Sequence, residues 1–288
     1  MTSPTYYEYY LIHHNKRLIK TTSCSIHLNK QKIKIQRALI SVFDKTGVVG
    51  LAESLNQHGV EIISTGGTAK TLGEAGLRVK GVSTYTGFPE IMDGRVKTIN
   101  PLVEGGILGL RDKHADDAKA NNIGWIDLVV CNLYPFSKII SRDDCDLMAA
   151  MENVDIGGPT MIRSAAKNVG WVAAVVDPQD YQGIIDELDE FVEISFETRK
   201  ELSAKAFGHT AQYDTIIHNY LKDEHLSNDL SLTYNKHSAM RYGENPHQSA
   251  AAYQYPNDRS KNILNAKIHQ GKQLSYNCLL YTSPSPRD

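Results

Sequence analysis

No apolar run in this 288-residue chain is long enough to span a bilayer. The amino terminus also lacks the apolar core and small-residue cleavage site of a secretory signal. Cysteine is scarce: Cys24, Cys131, Cys145 and Cys278 form no close pair and no ligand spacing, which argues against a disulfide framework or a zinc centre. A reducing, cytosolic compartment is therefore expected. Neither G-x-G-x-x-G nor H-E-x-x-H occurs, so a dinucleotide fingerprint and a metalloprotease helix are both excluded. The net charge of -2 shows no excess of either sign, and nothing in it points to nucleic acid or an anionic membrane. No internal repeat is found.

The composition that remains, 41% hydrophobic and 22% charged, suits a globular protein of one large or two modest domains. Charge is uneven. Residues 1–36 hold six Lys/Arg against one acid, Glu8, so they carry +5 while the rest carries -7. This stretch is rich in Tyr, His, Lys and Thr without clear period. It is expected to lie outside the folded domain, either as translated upstream sequence or as an organelle-targeting segment, although it has a single arginine.

Order is expected from Arg37. Residues 38–43 form a short apolar run typical of a buried parallel strand. After the turn Asp44-Lys45-Thr46-Gly47, Val48, Leu51, Ala52 and Leu55 recur at helical spacing up to His58-Gly59. Residues 60–64 read as a second strand and 68–74 as a second helix. This β-α-β-α order predicts an α/β fold with a parallel sheet flanked by helices. Further strands are predicted at 106–110, 126–131 and 171–176. Helices are predicted at 159–167, 180–191 and 197–220, and 226–236 reads as a linker.

Five groups of residues carry candidate chemistry. Ser64-Thr65-Gly66-Gly67-Thr68 ends a strand and opens a helix. There, backbone N–H groups, the helix dipole and three hydroxyls favour a phosphate, although an ordinary tight turn reads the same way. Arg95-Val96-Lys97-Thr98 sets two cations at alternate positions beside a hydroxyl; it fits a phosphate grip or a solvated loop. Cys131-Asn132-Leu133-Tyr134 lies beyond a strand end, where ligands of open α/β sheets bind, and Asn132 can both donate and accept. Asp155-Ile156-Gly157-Gly158-Pro159 opens a helix that carries Arg163 and Lys167 on one face. If that face meets a cleft, partial burial and the neighbouring cation fit Lys167 to proton transfer. If it does not, the helix is an ordinary surface one. His209, within Gly208-His209-Thr210-Ala211-Gln212-Tyr213-Asp214, reads as structural.

In this order, from about Arg37 to Asn277, these pieces closely resemble the bifunctional purine-biosynthesis family that joins an AICAR transformylase to an IMP cyclohydrolase. Further matching pieces are the stretch from Ser41 to Gly47, Thr86-Gly87-Phe88-Pro89-Glu90 and Arg241-Tyr242-Gly243-Glu244-Asn245-Pro246-His247-Gln248. The resemblance implies a methylglyoxal-synthase-like cyclohydrolase domain over residues 37–197, a helical connector and linker over 198–236, and the start of a cytidine-deaminase-like transformylase domain over 237–277. It also implies that FAICAR closes to IMP with loss of water. Lys167 would be the proton donor and acceptor, helped by Asp155, Lys97 and Tyr134. Asp44, Lys45, Thr65, Gly66, Gly67, Thr68, Arg95, Thr98, Cys131, Asn132 and Gly157 would hold the nucleotide, and Arg241 and Tyr242 would contact AICAR. The cyclohydrolase needs no metal or organic cofactor, whereas the transformylase half uses 10-formyltetrahydrofolate. A cytosolic homodimer acting on FAICAR and IMP is implied. The transformylase Lys-His pair lies further along the family sequence, so that activity is expected to be absent here. Residues 278–288 depart from the pattern and look like translated adapter sequence. Phe43 stands where serine is common in the family. Two rival readings, a nucleotide-sensing module and a methylglyoxal-synthase-like lyase, share the fold.

Overall fold

Short runs at 37–42, 61–64, 128–132 and 173–175 are apolar at successive positions because both faces of the sheet they form are covered. The computed structural model describes residues 28–142, 144–222, 228–256, 262–267, 269 and 275. Its elements follow in the order β1 (Ile33–Lys34), β2 (Arg37–Val42), α1 (Val48–Gln57), β3 (Glu61–Ser64), α2 (Gly66–Glu74), β4 (Lys80–Gly81), α3 (Val82–Thr86), α4 (Pro101–Leu108) and α5 (Ala115–Ala120). Then come β5 (Leu128–Asn132), α6 (Phe136–Ile140), α7 (Leu147–Glu152), α8 (Gly157–Lys167), β6 (Ala173–Val175), α9 (Tyr181–Phe191), β7 (Glu193–Ile194), α10 (Phe196–Leu221), β8 (Asn235–Ala239) and β9 (Ala251–Gln254).

The main sheet is parallel, in the order β4-β3-β2-β5-β6. Alternation along each strand divides the core in two. Ala38, Ile40 and Val42 of β2, with Leu128 and Val130 of β5, meet Leu51, Leu55, Ile184 and Leu188 of α1 and α9. Leu39, Val129 and Cys131 face the other way, toward Ile107 of α4, Met161 and Ile162 of α8, and Ala206 and Tyr213 of α10. The α/β class and the methylglyoxal-synthase-like parallel sheet are as expected.

Several boundaries differ from the sequence reading. The stretch 106–110 is not a strand, because residues up to 108 belong to α4. Asn100 accepts from the Leu102 amide at 2.9 Å, and Pro101 occupies the first turn, a start signal that outweighs the apolar run. Gly106 lets α4 approach closely: a Cβ there would lie 2.5 Å from the Gly124 carbonyl oxygen.

The folded body also begins before Arg37. Ile33 and Ile35 are buried, and β1 pairs antiparallel with β7. Arg199, wholly buried on α10, donates to the carbonyls of Gln31 at 2.9 Å, Val169 at 2.9 Å, Gly170 at 3.1 Å and Ile194 at 2.6 Å. Burial pulls its pKa down to about 10. The alternation Lys32-Ile33-Lys34-Ile35 was the available signal. Nor is residue 198 the start of a connector, because α10 packs on α8 and β6 with buried residues from Phe196 to Tyr213. The expectations for residues 1–27 and 278–288 lie outside the described residues.

β8 and β9 form a separate antiparallel pair, and every residue of β8 is exposed. Bonds from Gln212 to Asn235 (3.1 Å) and from Asn219 to the Ser231 carbonyl (3.1 Å) tie this segment to α10. Among the described residues, no helix is long and apolar enough to cross a membrane.

Candidate active site

At the carboxyl ends of β2, β3 and β5, four loops meet. Thr68 at the start of α2 is clamped to β2: its hydroxyl donates to the Val42 carbonyl at 2.9 Å and accepts from the Val42 amide at 3.1 Å. The hydroxyls of Ser41 and Thr65 lie 2.8 Å apart. The Ser64 hydroxyl donates to the Ile40 carbonyl at 2.6 Å, so the three hydroxyls expected to bind an anion, those of Ser64, Thr65 and Thr68, are engaged within the fold. The first amides of α2, at Gly66 and Gly67, remain for that task, as the opening N–H groups of a helix do. Gly66 has φ +40°, a left-handed backbone that favours glycine. Lys45 brings its ammonium over the turn: a Cβ on Gly67 would lie 3.9 Å from Nζ.

Asn132 is likewise an internal clamp. Its Oδ1 accepts from the Phe43 amide at 2.8 Å and the Asp44 amide at 2.9 Å, while Nδ2 donates to the Asp44 carbonyl at 3.0 Å. It shapes the loop that presents Lys45, and it also lines the hollow beside that loop. Asp44 in turn accepts from the Thr46 hydroxyl at 2.7 Å and amide at 2.9 Å, and these bonds lower its pKa. The Cys131 thiol points into the core, 2% exposed, and burial, then the Asp155 charge, push its pKa up. A contact through its sulfur is therefore not on offer. Tyr134 packs edgewise on Phe43 with ring centroids 4.2 Å apart.

The Arg95–Thr98 stretch leaves a tight turn closed by the Ile91–Val96 bridge. Met92 and Asp93 take φ of 54° and 52°, before Gly94 at 86°. Holding two non-glycine residues there costs on the order of 1–3 kcal/mol each. Lys97 is exposed, and Arg95 pairs with Glu152. Buried Thr98 is seated against Gly157: a Cβ at Gly157 would lie 2.7 Å from its hydroxyl oxygen. That contact locks the Arg95–Thr98 loop to the start of α8. Asp155 accepts from the Gly158 amide at 2.9 Å, and a Cβ at Gly158 would strike both Asp155 and Leu133. Glycine is thus required at 157 and 158 for close approach rather than for turn geometry.

Lys167 does not join this assembly. It ends α8, ten residues after Gly157 and about 15 Å along the helix at ~1.5 Å per residue. The partial burial expected of it is not found. Met161, Ile162, Ala165 and Ala166 fill the inner face of α8, which turns Arg163 and Lys167 to solvent. Arg163 instead covers the Phe207 ring at 5.6 Å. Arg241 and Tyr242 stack on each other at 5.1 Å between β8 and β9; among the described residues no hydrogen bond joins them to the strand-end loops.

A hollow of about 1000 Å³ opens beside the assembly, from Phe43, Lys45 and Asn132 across to Lys205 and His209 of α10. Burial lowers the pKa of His209, and its Nε2 is buried without a partner among the described residues. A smaller hollow of about 420 Å³ lies on the other side of Asp155, lined by Arg163 and Tyr213. Sequence reasoning missed Glu152 and the Tyr213 contact to Asp155 described below. Among the described residues, no cluster of three or more His, Cys, Asp or Glu could hold a metal ion.

A five-stranded parallel sheet covered by helices on both faces, with a glycine-opened helix at its strand ends, defines an α/β domain. Residues 47–160 match the model of the MGS-like domain, and residues 165–284 match that of the AICARFT/IMPCHase bienzyme. The bifunctional purine biosynthesis protein PurH of Bacillus cereus (strain AH187) is 51% identical over 247 residues, covering 84% of this chain and 48% of the relative. That of Bacillus anthracis (strain A0248) matches equally. The chain thus spans about half the length of the curated relatives it matches. A solved structure, the crystal structure of ForH, is 32% identical with a TM-score of 0.59, over 64% of this chain and 95% of that one. The chain belongs to the AICARFT/IMPCHase bienzyme family.

Proposed function

We propose that the body of this chain is an IMP cyclohydrolase that closes FAICAR to IMP. The observation that carries this reading is the interlock of Thr98 with Gly157, which ties the Arg95–Thr98 loop to the helix start that Asp155 caps. Around the substrate, Lys97, Arg95 and Asp155 would face the Gly66–Gly67 amides and Lys45. The amides and Lys45 would hold the 5′-phosphate. In the reaction, the carboxamide nitrogen attacks the formyl carbon of the same molecule and loses its proton. The resulting carbinolamine then expels its hydroxyl as water. Because both reacting groups belong to one substrate, fixing its conformation supplies much of the rate. Asp155 would take the amide proton, Lys97 would stabilise charge on the formyl oxygen, and Tyr134 would border the base. No metal or organic cofactor enters this step, whereas 10-formyltetrahydrofolate belongs to the family's transformylase activity, toward which Arg241 and Tyr242 would contribute.

Lys167 is proposed as the proton carrier on the strength of the family resemblance. The exposed outer face of α8 that bears it is open to a second copy in a homodimer. Incubating the purified chain with FAICAR and following IMP by absorbance tests the reading. Turnover that Asp155→Ala abolishes is expected. Folded protein that forms no IMP, or that consumes dihydroxyacetone phosphate instead, overturns it.

A further inference from the structure

The motif around His209 in α10 fits no step above, yet its Tyr213 reaches the site from a distant part of the chain. The Asp155 amide donates to the Tyr213 hydroxyl oxygen at 2.8 Å across 58 residues of sequence. Tyr213 itself is buried, with its ring edgewise to Phe136 at 6.4 Å between centroids. Phe136 follows the loop that carries Tyr134, so one side chain braces two of the four loops.

We infer that Tyr213 is a positioning residue that fixes the Asp155 carboxylate for proton transfer by holding its backbone. This inference rests on the cyclohydrolase reading. Asp155 is restrained from two directions. Its carboxylate accepts from the Gly158 amide inside α8, and its own amide is tied to α10. Neither restraint suffices alone. The Gly158 bond fixes the carboxylate relative to the helix start but leaves the chain entering from α7 free to pivot. The Tyr213 bond removes that pivot. A shift of about 1 Å in such a group is enough to cost about a hundredfold in rate, so a support of this kind acts on turnover more than on binding. Burial raises the Tyr213 pKa, which keeps the phenol neutral near pH 7 and its oxygen an ordinary acceptor. That oxygen accepts in the bond to Asp155, and among the described residues no acceptor takes the hydroxyl proton, which borders the adjoining hollow.

Tyr213→Phe removes the hydroxyl and keeps the packed ring. The expected result is a fall in kcat of about tenfold with KM within twofold, the split of a misplaced base rather than a lost ligand. In an Asp155→Ala background the same substitution is expected to have less than a twofold effect, because the group it positions is gone. Tyr220→Phe, whose ring also packs on Phe136, serves as control and should stay within twofold. A Tyr213→Phe variant with unchanged kcat, or one whose loss persists undiminished beside Asp155→Ala, overturns the inference. Hydrogen exchange at the Asp155 amide gives an answer that does not depend on activity. At least tenfold faster exchange in Tyr213→Phe is expected, and unchanged protection overturns the inference even if the chain proves to have another substrate.

Discussion

The two ends of α8 are built from one short sequence and treated in opposite ways. At the amino end, Gly157 and Gly158 admit Thr98, Leu133 and the Asp155 carboxylate to within contact of the helix backbone, and Tyr213 ties the entering chain. At the carboxyl end the inner side is anchored just as firmly. Asn168 donates to the Ile107 carbonyl at 2.6 Å and the Gly109 carbonyl at 3.1 Å, and Arg199 holds the carbonyls of Val169 and Gly170. Its outer side, with Arg163 and Lys167, is exposed, and Arg163 covers the Phe207 ring. Helical spacing shows which residues share a face. Whether that face meets a cleft depends on what packs across it, and here two cations one turn apart face outward because four apolar residues face inward.

The contrast can be broken most sharply at Asp155. Asp155→Ala should lower ring closure at least a hundredfold, within the usual range for a lost general base. It should also lower stability by about 1 kcal/mol, because the Gly158 amide loses its cap. Steady-state assays and urea unfolding measure the two effects. At the other end, Arg199→Ala leaves several buried carbonyls without their donor and should destabilise the protein by about 3 kcal/mol or more. A shift of the urea midpoint at constant slope would show it.

Lys167→Ala probes the open face. Stability should stay within about 0.5 kcal/mol of the parent, as for an exposed position with no partner among the described residues, while ring closure falls about a hundredfold. Unchanged turnover would remove Lys167 from the chemistry.

The smallest effect concerns pH. Burial lowers the His209 pKa below its ordinary value, so the unfolded chain binds that proton first. The stability linked to His209 is therefore fully present above about pH 6.5 and is lost as pH falls through the lower folded value. His209→Gln should flatten the decline of the thermal midpoint below pH 6.5 by no more than roughly 2–4 °C. An unchanged profile would show that the site is solvated on folding.

Much of the architecture was legible. The alternation of strand and helix from Arg37 to Gly76, the long helix near 197–220 and the helix opening near Gly157 all follow local rules of periodicity and capping. The misreadings share one cause. Residues 28–36 are strongly charged and read as an extension, yet they fold because Arg199, more than 160 residues away, supplies a donor for their carbonyls. The run 106–110 looks like a strand until Asn100 and Pro101 are weighed as a helix start. The same division holds at the site. The loop positions were readable, but the use of each side chain was not. Thr65, Thr68 and Asn132 are rich in hydrogen-bonding groups, and the fold engages those groups internally.

Residue order settled the α/β class and the family, because these depend on short-range patterning of apolar, glycine and cap residues. The orientation of α8 required the assembled molecule. So did the engagement of the Thr68 and Asn132 side chains, the burial of Cys131 and the support of Asp155 by Tyr213. Those features arise from contacts between segments far apart in sequence, where a side chain's role is set by the neighbour that packing brings to it.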